Sequence, residues 1–192
     1  MELKNGTVCH DILVENAVPQ LAFNPRCDYA KWKAKVKSKF FELTGLDDIK
    51  NNACEPNFEI IEEKQMDGYR RILFYFESEI GAVVPCYLLV PDTKKAKYPV
   101  VITLQGHSTG FHNSIGEPKY DEDLGYSDGE NARGQFAVQA VKQGYIALAI
   151  EQRGMGCRAA EDSPFRRVHL EKRAGCYYEQ MTGILLGRTL IG

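Results

Sequence analysis

Two apolar runs limit the folds open to this chain. Val100-Val101-Ile102-Thr103-Leu104 and Tyr145-Ile146-Ala147-Leu148-Ala149-Ile150 are dominated by β-branched and aliphatic residues without polar alternation. Such runs read as strands buried on both faces, as in parallel sheets. Each run stops at glycines: Gln105-Gly106-His107-Ser108-Thr109-Gly110 after the first, and Glu151-Gln152-Arg153-Gly154-Met155-Gly156 after the second. Between them a helix is expected from near Asn131 to Lys142, with Phe136, Ala137, Ala140 and Val141 on one side. Gly144 is its stop. Strand, helix and strand in this order form a βαβ unit, which makes the strands parallel with a right-handed crossover. Open sheets of this kind hold their chemistry outside the carboxyl ends of the strands, so both glycine turns are candidate site segments.

Upstream the pattern becomes antiparallel. Phe58 to Glu63, Tyr69 to Glu77 and Val83 to Val90 are strand candidates, separated by Asp67-Gly68 and by a turn near Gly81. Three neighbouring strands with short turns make a meander. Pro91 to Lys97 is a polar turn into the first buried strand. Earlier still, residues 1 to about 26 show little periodicity, and Pro19 and Pro25 point to an extended lead-in. Asp28 reads as the N-cap of a helix that runs to about Leu43 and ends at Thr44-Gly45. Tyr29, Trp32, Val36 and Phe40 form its apolar stripe. Its five lysines, from Lys31 to Lys39, read as a solvated face rather than a membrane or acidic-partner surface. Phe111 to Gly129 is a long polar loop, read as solvated and lid-like, and Cys176 to Ile191 is the last helix candidate.

Charge excludes two classes of partner. Lys+Arg is 24 against Asp+Glu 26, a net −2, which gives no electrostatic footprint for nucleic acid or an anionic membrane. No apolar run approaches the roughly 18 residues of a membrane span. The first residues are charged and lack the apolar core of a signal peptide. The six cysteines are scattered without zinc spacing, which suits reduced thiols in a cytoplasmic protein, and Cys86 reads as a small buried hydrophobe. The pattern leaves the oligomeric state open.

Three stretches carry a resemblance: Val84 to Pro91, Pro99 to His107 and Gly144 to Gly156. In this order and spacing they resemble the amino-terminal part of an α/β-hydrolase. Within that fold they are similar to the acetyl xylan esterase / cephalosporin-C deacetylase group of the dienelactone-hydrolase-like set. There, one strand ends in Val-Pro, another in a His-Gly or similar turn, and a third in an acidic-x-Arg-Gly-x-Gly turn. Gln105 stands where a histidine commonly precedes the glycine. The fold implied is α/β, a partial α/β-hydrolase fold: an antiparallel β lead-in plus the first parallel strands of a mixed sheet with flanking helices. Residues 1–56 would be an extension with one amphipathic helix. Residues 57–192 would be the amino-terminal part of the hydrolase domain, truncated before the nucleophile strand and lacking the triad. Losing that strand would leave the Tyr145 to Ile150 strand with an open, apolar edge.

The resemblance implies an ester hydrolase acting on a small ester, with an acetylated sugar as candidate, through an acyl-enzyme and without a cofactor. The loop after the third family strand supplies an oxyanion donor. By resemblance the His107 backbone N–H is the candidate for that role, with Gly106 allowing a sharp turn. Gly106 to Gly110 also spells G-x-S-x-G. A nucleophile elbow turns straight into a helix, whereas Phe111 to Gly129 is loop chemistry, so Ser108 is the lesser candidate nucleophile. Its partners would be His169 and one of Asp121, Asp123, Asp128 or Asp162, which would make a complete small hydrolase. A non-catalytic hydrolase-derived binding module is the other alternative. His107 and His112 lack a supporting ligand at metal spacing, so no metal is expected; they read as residues of a pocket mouth or of the loop. Asp121, Glu122, Asp123 and Asp128 do not follow the calcium-loop pattern and read as solvated. Glu151 and Arg153, at a strand end, are candidate substrate contacts, read first as a buried ion pair or turn-stabilising groups.

Overall fold

The computed structural model of the chain describes residues 6–106, 109–126, 133–159 and 183–185. The chain divides into two compact units, residues 1–42 and 43–192.

In the first unit, helix α1 (Val8–Glu15) occupies part of the stretch expected to be extended. None of its residues is buried, so it lacks the packed stripe that makes a helix visible in a sequence. Helix α2 (Tyr29–Thr44) begins as expected: the Asp28 carboxylate accepts the Lys31 N–H at 3.1 Å, a side-chain N-cap. Phe23 packs edge-on against Trp32 at 4.9 Å and Tyr29 at 6.4 Å. The Trp32 Nε1–H donates to the Leu21 carbonyl at 3.0 Å, so the segment before α2 folds back onto it. The second unit opens with the end of α2, Gly45 in a left-handed conformation and the short helix α3 (Leu46–Asn51).

The second unit is built on a five-stranded mixed sheet flanked by helix. Strands β1 (Glu59–Gln65), β2 (Tyr69–Glu79) and β3 (Ala82–Pro91) form the expected antiparallel meander. Strand β4 (Val100–Leu104), helix α4 (Phe136–Lys142) and strand β5 (Ile146–Ile150) form the βαβ unit, with β4 and β5 parallel. The sheet order is β1-β2-β3-β5-β4. The core lies on one face, where Tyr87, Leu89, Ala147 and Ala149 pack with Ala137, Val138 and Val141 of α4. No helix among the described residues is long and apolar enough to cross a membrane.

Two expectations are corrected here. β5 has no open edge: it pairs antiparallel with β3 and parallel with β4, because the crossover carries it inside β4. On that side of the sheet the edge strand among the described residues is β4, and β1 forms the other edge. Nor is β4 buried on both faces. Val100, Ile102 and Leu104 are each more than half exposed, while Thr103 on the α4 side is buried. The apolar letters match a two-sided strand, but among the described residues packing covers only one face. The last helix candidate lies outside the described residues apart from 183–185, which are helical.

Candidate functional site

The parallel register Leu104↔Ile150 brings the ends of β4 and β5 side by side, so Gln105 and Glu151 leave the sheet as neighbours. The Gln152 side-chain amide donates to the Gln105 carbonyl and stitches the two turns together. Gln105 is buried, and its Nε2 donates to Ser114 Oγ at 2.6 Å and to the Gly134 carbonyl at 3.3 Å.

Glu151 is buried at 1% exposure and holds the two turns from within. Its Oε1 and Oε2 accept the Phe111 N–H at 3.2 and 3.3 Å. Oε2 also accepts the Cys157 N–H at 3.3 Å, with the Cys157 thiol 3.6 Å away. Glycine makes this clasp possible. A Cβ on Gly156 would lie 2.0 Å from Glu151 Oε2, and one on Gly110 would lie 2.9 Å from it. Both glycines also have positive φ, at 48° and 149°. Burial pushes the Glu151 carboxyl up to about 7, against the opposing pull of the Phe111 and Cys157 donors.

Around Asp123 lies a second buried cluster. The 3₁₀ turn Phe111–Ile115 is buried along its whole length, and Asp123 ends a second 3₁₀ turn, Asp121–Asp123. The Thr109 hydroxyl donates to Asp123 Oδ1, and Asn113 Nδ2 donates to Thr109 Oγ1 at 2.9 Å and to Asp123 Oδ1 at 3.3 Å. Asp123 Oδ2 accepts His112 Nε2 at 3.0 Å and the Lys119 and Tyr120 N–H groups at 2.9 and 3.0 Å. Burial raises the Asp123 carboxyl, but these donors outweigh it and hold the group at about 2. Burial lowers His112 below its ordinary value, partly offset by Asp123. Thr109, His112 and Asp123 are the residue types of a hydrolytic relay, but the geometry differs. His112 Nε2 faces both Asp123 and, at 3.1 Å, Thr109, whereas a relay places its two partners on opposite ring nitrogens. The cluster therefore positions groups and does not activate the threonine.

Glu151 lines a cavity of about 230 Å³ together with Thr109, Phe111, His112, Lys119 and Tyr120 among others, and Asp123 stands behind its Thr109 and His112 walls. Behind it, Phe111 stacks on Tyr87 at 4.7 Å, and the buried Arg71 guanidinium sits over the Tyr87 ring and pairs with Glu117. Among the described residues, no three His, Cys, Asp or Glu side chains converge as a metal site.

Of the site residues expected from sequence, His112 and Glu151 meet at this cavity. Arg153 does not join them. It pairs with Glu79 on β2, which also accepts Asn52 Nδ2 at 3.0 Å, so the anticipated Glu151–Arg153 ion pair is replaced by two separate contacts. Gly106 has no positive φ, and a Cβ there would meet nothing; in these two turns positive φ falls at Gly110, Gly154 and Gly156, and a Cβ on Gly110 or Gly156 would also collide with Glu151. Asp123 is buried at 2% exposure rather than solvated, because it collects the donors of its own loop. His107, Ser108, Asp128, Asp162 and His169 lie outside the described residues. Thr109, Asn113 and Cys157 went unnoticed in the sequence; the only local sign was the glycine at positions 110 and 156.

A family model described as the Abhydrolase family matches residues 3–189. A comparison with curated proteins gives no match. Among solved structures, one from Bacteroides fragilis, provisionally assigned as an acetyl xylan esterase, superposes with a TM-score of 0.71 at 22% identity. The overlap covers 99% of this chain and 47% of that one, so the chain spans about half the length of its structural neighbour. Acetyl xylan esterase 1 from Thermoanaerobacterium sp. overlaps 76% of this chain and 45% of its own, at 15% identity and a TM-score of 0.41, below the level that shows a shared fold.

Proposed function

Because the chain belongs to the Abhydrolase family, we propose that it supplies the amino-terminal part of a serine carboxylic-ester hydrolase working through an acyl-enzyme. The observation that supports this most is the paired strand ends: a glycine turn leaves β4 beside the Glu151 clasp, at the carboxyl edge of two parallel strands. In that position the His107 backbone N–H serves as an oxyanion donor, with Gly106 in the turn. Residues 57–192 contribute the hydrolase part and residues 1–56 an extension. The attacking serine, its base and its acid come from chain outside these 192 residues; the 47% coverage of the matched structure supports this division. The substrate is a small ester, with an acetylated sugar as candidate, in the cytoplasm. Chemistry of this kind needs no cofactor.

The isolated chain is expected to hydrolyse 4-nitrophenyl acetate no faster than a heat-denatured control. In the longer chain, His107→Pro removes the N–H and is expected to lower kcat by about 10²–10³-fold, while His107→Ala leaves it nearly unchanged. Turnover by the isolated chain that Ser108→Ala abolishes would overturn the proposal in favour of Ser108.

A further inference from the structure

His112 is 3% exposed and lines the cavity. Its Nε2 is taken up by Asp123 and Thr109, and its Nδ1 has no hydrogen-bond partner among the described residues. Asp123 receives donors at both oxygens, from Thr109, Asn113, Lys119 and Tyr120. A carboxylate so surrounded is an acceptor only, so the Nε2 that faces it at 3.0 Å must carry the imidazole proton. In the neutral ring the remaining nitrogen is then a bare lone pair.

We propose that His112 presents an unprotonated Nδ1 to the cavity as the acceptor for a small neutral hydroxyl-bearing molecule, with Asp123 as the positioning residue that fixes this tautomer. The walls select the ligand class. One ammonium, Lys119, and one carboxyl, Glu151, line the same space, so neither a cation nor an anion is favoured over a neutral molecule. The rings of Phe111 and Tyr120 supply apolar surface against a carbon skeleton. A volume of about 230 Å³ is below the roughly 300–1,000 Å³ of drug-sized pockets and suits a short polyol. Burial lowers the His112 pKa, so the acceptor form persists at neutral pH. The proposal stands whether or not the ester-hydrolase assignment does.

Long-range ¹H–¹⁵N spectra of the ¹⁵N-labelled 192-residue chain test it. The chain has four histidines, and a His112→Gln variant assigns the His112 ring by difference. Near pH 7 the expected pattern is a protonated Nε2 and an unprotonated Nδ1. Glycerol is expected to shift the Nδ1 resonance saturably upfield, while acetone, which has no donor, leaves it in place. A ring protonated at Nδ1 would overturn the proposal. So would an Nδ1 indifferent to glycerol, or one that responds equally to acetone. Asp123→Leu, which takes away the carboxylate acceptor of Nε2–H, is expected to raise the share of the Nδ1–H tautomer, which a merely structural role would not do, and an unchanged tautomer would remove the positioning role. Should that variant fail to fold, the wild-type spectra still decide the tautomer and the ligand.

Discussion

Asp123 and Glu151 are both nearly inaccessible to solvent, yet their carboxyls shift in opposite directions. Asp123 is held at about 2, and Glu151 is pushed up to about 7. Burial raises both carboxyls, more strongly at the deeply set Glu151, and the donors around Asp123 outweigh it there. Asp123 gathers a hydroxyl, an imidazole and two backbone N–H groups at 2.9 and 3.0 Å. Glu151 has two backbone N–H groups at 3.2–3.3 Å and a thiol at 3.6 Å. Short, numerous donors replace the lost hydration of a carboxylate, whereas longer and fewer ones do not. The Asp123 cluster is thus a polar knot that stabilises its loop. The Glu151 clasp binds two turns at a standing electrostatic cost.

Removing Asp123 should be the most damaging way to test that contrast. Asp123→Ala strips the acceptor from five donors, three of them buried side chains, and is expected to cost about 3–5 kcal/mol, the order found when one member of a buried charged network is deleted. The urea midpoint followed by circular dichroism measures it, and a loss under about 1 kcal/mol would show that the knot contributes little.

The glycines come next. Gly156→Ala combines a positive φ with a Cβ 2.0 Å from the Glu151 carboxylate, and is expected to destabilise by about 2–4 kcal/mol. Gly106→Ala, where nothing lies within 4 Å, should stay within about 0.5 kcal/mol. Equal effects at the two sites would deny the clasp.

The smallest effect is one of pH. The Glu151 carboxyl is raised from 4.5 to about 7 in the fold, so the native state holds its proton more tightly. Its contribution to stability therefore declines as pH rises from about 4.5 to 7. Asp123, lowered from 3.8 to about 2, has the opposite sign: its contribution is present above about 4 and lost as pH falls toward 2. Glu151→Gln is expected to flatten the stability profile between pH 4.5 and 7 and leave the acid limb intact. A profile that keeps its slope in the variant would assign that slope to another group.

The antiparallel meander and the βαβ unit were legible because strands β1 to β5 carry local signals: apolar runs, glycine turns and a polar linker at Pro91 to Lys97; the place of β5 between β3 and β4 was not. The exposure of Val100, Ile102 and Leu104 was not, since composition cannot say which face of a strand will be covered. Helix α1 escaped notice because none of its residues packs into a core. At the site, Glu151 was visible from its place at a strand end. Asp123 was not, because its partners Thr109 and His112 lie 14 and 11 residues away and meet it only when the loop closes. In sequence a buried acid in a polar loop looks the same as a solvated one.

Trp32 is the single tryptophan of the chain, and it lies in the unit of residues 1–42, with its indole N–H bonded to Leu21 and its ring against Phe23. Indole emission therefore reports on the packing around Trp32 within that unit. The stacked Tyr87–Phe111 pair behind the Glu151 clasp gives the second unit its own near-ultraviolet dichroic signal. The molecule thus carries two built-in optical probes, one for each unit, and denaturation followed at both wavelengths separates the melting of one from the melting of the other.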